Sequence, residues 1–175
     1  MISPSLPSIG RSLLRLVFRG GSPERIRYSD RLLLVALLGT LLTTIVSQRW
    51  FFQSSLIGTG LTLFTLYAGA YLGAAIIGRR IPRMRVRSGM QAFWLLLLGI
   101  QLLLILLIPI VQMLPQARTG VAVVAGMALI AGTTSIVHYL QRGGRLRAAV
   151  TSVAFFAVLG AFHAILSNLL EVLFG

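Results

Sequence analysis

Residues 91–114 read QAFWLLLLGIQLLLILLIPIVQML, a run of 24 residues without a single charge. A helix rises 1.5 Å per residue, so a run of this length is about 36 Å long and outreaches the roughly 30 Å hydrocarbon core of a bilayer. Leucine and isoleucine occupy every side of it, and no polar face is left for water. Such a segment belongs in a membrane or in the centre of a large core, and a chain of 175 residues is too short to build the latter around several of them.

The flanks argue for the membrane. Arg79, Arg80, Arg83, Arg85 and Arg87 precede the run, and Pro115 and Arg118 follow it. Working outward, four more apolar runs emerge, at 32–51, 55–78, 119–140 and 148–174. The first reaches residue 51 only if Arg49 snorkels into the headgroups. The sequence therefore predicts an all-α polytopic bundle of five spans. Residues 1–31 form a basic arm and residues 32–175 the membrane domain.

Charge then orients the bundle. Lys and Arg number 16, all of them arginine, against three acids, for a net charge of +13. Taken alone, that balance suits a nucleic-acid binder. However, the arginines are segregated from the apolar runs rather than interleaved on amphipathic helices, and no stacking aromatics lie among them, so no nucleic-acid partner is expected. Fourteen arginines fall on one side of the five spans, and only Arg49 and Arg118 on the other. The positive-inside rule for short loops puts the N-terminus in the cytoplasm and the C-terminus outside. The all-arginine set fits a GC-rich bacterial genome, so a bacterial inner membrane is the expected location. No cleavable leader is expected, because the first long apolar run starts beyond residue 30.

Residues 8–19 predict a short amphipathic helix with Arg11, Arg15 and Arg19 at i+4 spacing on one face, ended by Gly20 and Gly21. It is expected to lie on the inner leaflet, where these arginines and Arg79, Arg80, Arg83, Arg85 and Arg87 meet anionic headgroups. Asp30 is expected to cap the first span.

Small residues mark close helix packing in membranes. Gly69 and Gly73 form such a pair in the second span; Ala122, Gly126 and Gly132 do so in the fourth. These patterns, with Ala36, Thr40 and Thr44 in the first span, predict that spans one, two and four form the tight centre. Span three, leucine-rich all round and bent at Pro109, is expected to be the most lipid-exposed.

Polar residues at membrane depth are the candidates for function. Gly160, His163, Ser167 and Glu171 recur at 3, 4 and 4 along span five, with Asn168 beside them. They read either as a cation or proton path or as structural hydrogen-bonding groups. His138 and His163 differ in depth by roughly 15–20 Å, so they do not share a haem, and no metal or other cofactor is expected. The absence of cysteine removes thiol chemistry, and the hydrolase and phosphate-loop motifs are missing. The leading expectation is a non-enzymatic accessory, assembly or membrane-organising subunit, packed against another membrane protein or itself. The alternatives are a small transporter or channel on the polar face of span five and an anionic-lipid-binding protein.

The layout resembles the small bacterial members of the Yip-like integral membrane proteins: a basic N-terminal segment, five spans, short loops and a proline in the third span (Pro109). The resemblance implies a membrane-organising or trafficking-type role and carries no catalytic residues.

Overall fold

The computed structural model describes residues 11–12, 14–15, 17, 28–79 and 81–174, the side chains of Ile77, Leu173 and Phe174 excepted. Among the described residues the chain is helical throughout, with no strand. The helices are α1 (Asp30–Val46), extended by a π-helical turn at Ser47–Phe51, α2 (Leu56–Gly78), α3 (Arg83–Leu106), the short α4 (Ile108–Met113), α5 (Ala117–Gln141) and α6 (Arg145–Phe174). Five are long and apolar enough to cross a bilayer, and the chain is a multi-pass membrane protein. Arg19, Arg80 and much of the predicted 8–19 helix lie outside the described residues. Arg11, Ser12, Leu14, Arg15 and Val17 are helical.

Several boundaries run past the apolar core of each span. α3 starts at Arg83 rather than near 91, with Pro82 as its flanking residue, so the arginine-bearing turns are part of the helix. It stops at Leu106; Pro109, second residue of α4, cannot continue the i→i−4 ladder, and the third span breaks there. α1 begins with Ser29 as the flanking residue, and Asp30 is its first helical residue rather than its cap. Its carboxylate still stands at the positive end of the helix dipole and accepts a hydrogen bond from the Tyr28 hydroxyl.

The closest helix pairs are α1 with α3, α3 with α5, and α5 with α6; α2 closes the bundle against α6, with lighter contacts to α1 and α3. α3 is therefore the most enclosed span, which corrects the expectation that it faces lipid. Gln91 and Ala92 are fully buried, and Phe93 to Leu97 nearly so. The reason lies in its neighbours. Leu98 seats on Gly39 of α1, Leu96 on Gly132 of α5, and Leu140 of α5 on Gly89. In the first two contacts the small residues of α1 and α5 are the holes and the leucines of α3 the knobs; in the third the roles are exchanged. Tyr67 of α2 stacks on Trp94 at 4.6 Å between centroids and donates to the Leu37 carbonyl at 2.7 Å.

Hydrogen bonds also tie α1 to α3. The Ser29 amide donates to Gln91 Oε1 at 2.8 Å, Thr40 Oγ1 to the Trp94 carbonyl at 3.3 Å, and Ser47 Oγ to Gln101 Oε1. The last two pairs share the same sequence offset, as parallel helices in fixed register require. Gln101 is legible in the sequence as an interhelical donor or acceptor; Gln91 carries no such signal, because it sits at the edge of the apolar run.

Candidate functional site

The site residues read from the sequence cluster on α6, and α2 determines how they sit. Leu159 lies against Gly69 and Phe155 against Gly73; a Cβ at either glycine would overlap the ring or the leucine methyl. One turn further along, His163 Nδ1 is 3.4 Å from Thr65 Oγ1. The three contacts, 73 with 155, 69 with 159 and 65 with 163, keep one antiparallel register. They form a continuous seam in which two glycines admit two bulky side chains and a threonine meets the histidine. Thr65 is buried and His163 half-buried. The ring is thus a partner within the bundle, held by a neutral hydroxyl.

The remaining polar residues leave this seam. Successive i+4 steps on a helix of 3.6 residues per turn drift by about 40°. Ser167 has rotated part of the way out and is half-buried, while Asn168 and Glu171 are exposed. Continuing the register places Glu171 at the level of Ile57, where α2 is itself exposed.

The opposite side of α6 has a pattern of its own. Ala157, Ala161, Ala164, Asn168 and Glu171 follow one another at 4, 3, 4 and 3 residues, and all are exposed. Gly160, beside them, has no atom of the bundle within 4 Å of where its Cβ would be. α6 is the least buried of the five spans. The heptad-type spacing is in the sequence, but which face of α6 stays uncovered emerges only from the seam with α2.

The other predicted packing residues divide in the same way. Gly132 is tightly packed, whereas Gly126 has nothing near it, and Ala122 is half-buried beside a second apolar cluster of Phe51, Leu104, Val111 and Ala125. Of the described arginines assigned to headgroups, Arg11, Arg15, Arg79, Arg83 and Arg87 are exposed, while Arg85 stacks over the Tyr139 ring at 5.5 Å. The starts of α1, α3 and α6 share one end of the bundle, so Arg31, Arg142, Arg145 and Arg147 gather with them. Arg49 and Arg118 lie at the other end, where Arg118 donates to Gln53 Oε1 at 3.1 Å. At the arginine-rich end the hydrogen bond to Asp30 lifts the Tyr28 hydroxyl above its ordinary pKa, because ionising the phenol would break it beside a carboxylate.

No three His, Cys, Asp or Glu among the described residues come together to hold a metal. His138 lies near the end of α5 and His163 well inside α6, about 20 Å apart in depth by helix rise. The chain matches no family model, no curated protein and no solved structure. The Yip-like resemblance therefore rests on layout alone.

Proposed function

We propose that this protein is a non-enzymatic accessory or assembly subunit of a bacterial inner membrane that binds another membrane helix along α6. The observation that carries this reading is the uncovered face Ala157, Ala161, Ala164, Asn168 and Glu171. Small residues allow a second helix to approach closely, and a polar amide at membrane depth favours a protein partner over lipid. The partner is a second membrane protein or a second copy of this chain. In this reading the arginine-rich end faces the cytoplasm and rests on anionic lipid. The N-terminal helix lies on the same leaflet and the C-terminus is outside.

The transport alternative draws on the contact between His163 and Thr65 at membrane depth. It has less support, because the proposed path would need Glu171, which stands on the other side of the helix from the α2 seam.

The chain has no cysteine, so single cysteines report without background. Ala157→Cys, Ala161→Cys, Ala164→Cys and Asn168→Cys, each labelled with a thiol-reactive benzophenone and photolysed in native membranes, are expected to form protein–protein adducts. Phe155→Cys and Leu159→Cys, which face α2, are expected to give none between chains. Adducts to lipid alone at all four positions would sink the proposal.

A further inference from the structure

We infer that the bundle carries a phospholipid site at its arginine-poor end, with one acyl chain in the groove between α3 and α5 and the anionic headgroup on Arg118. This inference does not depend on the assembly face of α6. The groove has a volume of about 820 Å³, is open along one side and is walled by apolar residues, among them Leu96, Leu103, Leu107, Ala117, Val124 and Ala128. Its size is that of a small-molecule site, and its walls offer nothing to a polar ligand.

Length and depth point to a lipid chain. The lining runs from residue 96 to 107 on α3 and from 117 to 128 on α5, about 16 Å by helix rise. That is about half the hydrocarbon thickness, the depth of one leaflet. Leu96 stands thirteen residues after the first residue of α3, and Ala128 thirteen before the last of α5, so both deep limits lie about 20 Å from the arginine-rich end. The groove therefore opens toward the arginine-poor end and stops near mid-membrane. A spanning helix of a partner would need a groove of the full thickness. At the deep end, Val17 of the N-terminal helix lines the groove and packs against the central cluster that contains Leu96.

The mouth of the groove is positive. Ala117 is the first residue of α5, and Arg118 follows it. Phe51 packs with Leu104 and Ala125, both of which also line the groove. Two residues beyond Phe51, Gln53 Oε1 accepts the hydrogen bond from Arg118 Nη1, which holds this guanidinium over the end of the groove. Arg49 Nη1 donates to the Ser54 carbonyl at 3.0 Å, so both arginines of this end stand on one loop. Their acceptors are an amide and a carbonyl, which are neutral. The two positive charges are thus positioned without being cancelled. Guanidinium groups bind phosphate through charge-assisted hydrogen bonds. Uncancelled charge favours a headgroup with a net negative charge, phosphatidylglycerol, over zwitterionic phosphatidylethanolamine.

The test uses the full-length protein in bilayers with two photoreactive probes, phosphatidylglycerol and phosphatidylethanolamine, each carrying a diazirine midway along one acyl chain. Adducts mapped by mass spectrometry are expected to concentrate within residues 96–107 and 117–128 of the unaltered protein, a reading that needs no variant to fold. The phosphatidylglycerol probe is expected to label there more strongly. Arg118→Gln is expected to lower its labelling about fivefold, the worth of one arginine near a headgroup, and to leave the other probe nearly unchanged. Val124→Trp, at a groove position 65% exposed, fills the space and is expected to lower labelling by both probes. Adducts spread evenly over all five spans would mean ordinary boundary lipid and would overturn the proposal. So would a preference for phosphatidylglycerol that survives Arg118→Gln but disappears when Arg11→Gln and Arg15→Gln are combined, because the headgroup would then rest on the N-terminal arm.

Discussion

At the scale of single residues, the seam between α2 and α6 is decided by what two glycines lack. Gly69 and Gly73 have no side chain where Leu159 and Phe155 lie, so the helices approach until those side chains touch backbone. Between membrane helices burial of apolar surface gives little, since lipid tails are equally apolar, and close packing supplies the attraction. Gly69→Val is therefore expected to cost about 1–3 kcal/mol through overpacking, with part of that loss recovered in Gly69→Val combined with Leu159→Ala. Steric-trap or denaturant unfolding in mild detergent measures both. Equal destabilisation with and without the Leu159 change would mean that the glycine matters for some reason other than this contact. The same seam holds His163 on Thr65, which gives that histidine a structural partner whatever else it does. The spacing of 160, 163, 167 and 171 was legible in the sequence. Its division between two sides of α6 was not, because a 40° drift per step matters only once a neighbour fixes which side is covered.

At the scale of elements, the five spans were readable because length and lack of charge act through the backbone alone: a helix either reaches across the hydrocarbon or does not. Which span lies at the centre was not readable from the same signal. Leucine faces lipid and protein with equal ease, so the leucines of α3 look lipid-exposed in sequence. Leu96 is buried and Leu98 half-buried because Gly132 and Gly39 on the flanking helices open space for them. The small residues of α1 and α5 pointed to close packing, and the element packed against them was the leucine-rich α3. This predicts a contrast within α3. Leu96, 3% exposed, fills the Gly132 notch, and Leu96→Ala is expected to cost about 2–5 kcal/mol. Leu106, 74% exposed, should tolerate alanine within about 0.5 kcal/mol. Unfolding of the two variants under one detergent condition compares them, and similar losses for both would contradict the central position of α3.

At the scale of the whole molecule, the charge that first suggested an acidic partner is arranged by the fold into a polarity. The starts of α1, α3 and α6 and the ends of α2 and α5 meet at one end, and the described arginines of the loops gather there; among the described residues only Arg49 and Arg118 mark the other. Five spans and this asymmetry support one orientation, because translocating the arginine-rich loops is costly while the two-arginine side passes readily. Single-cysteine labelling reads the result directly in a chain with no cysteine of its own. Gln116 is exposed at the arginine-poor end, before α5, and Gly144 is exposed in the turn at the arginine-rich end with room for a side chain. Gln116→Cys is expected to react in intact cells with a membrane-impermeant maleimide, and Gly144→Cys only after the membrane is opened. The reverse pattern would invert the molecule. Labelling of both in intact cells would break the five-span count, since the two sites are separated by the single span α5.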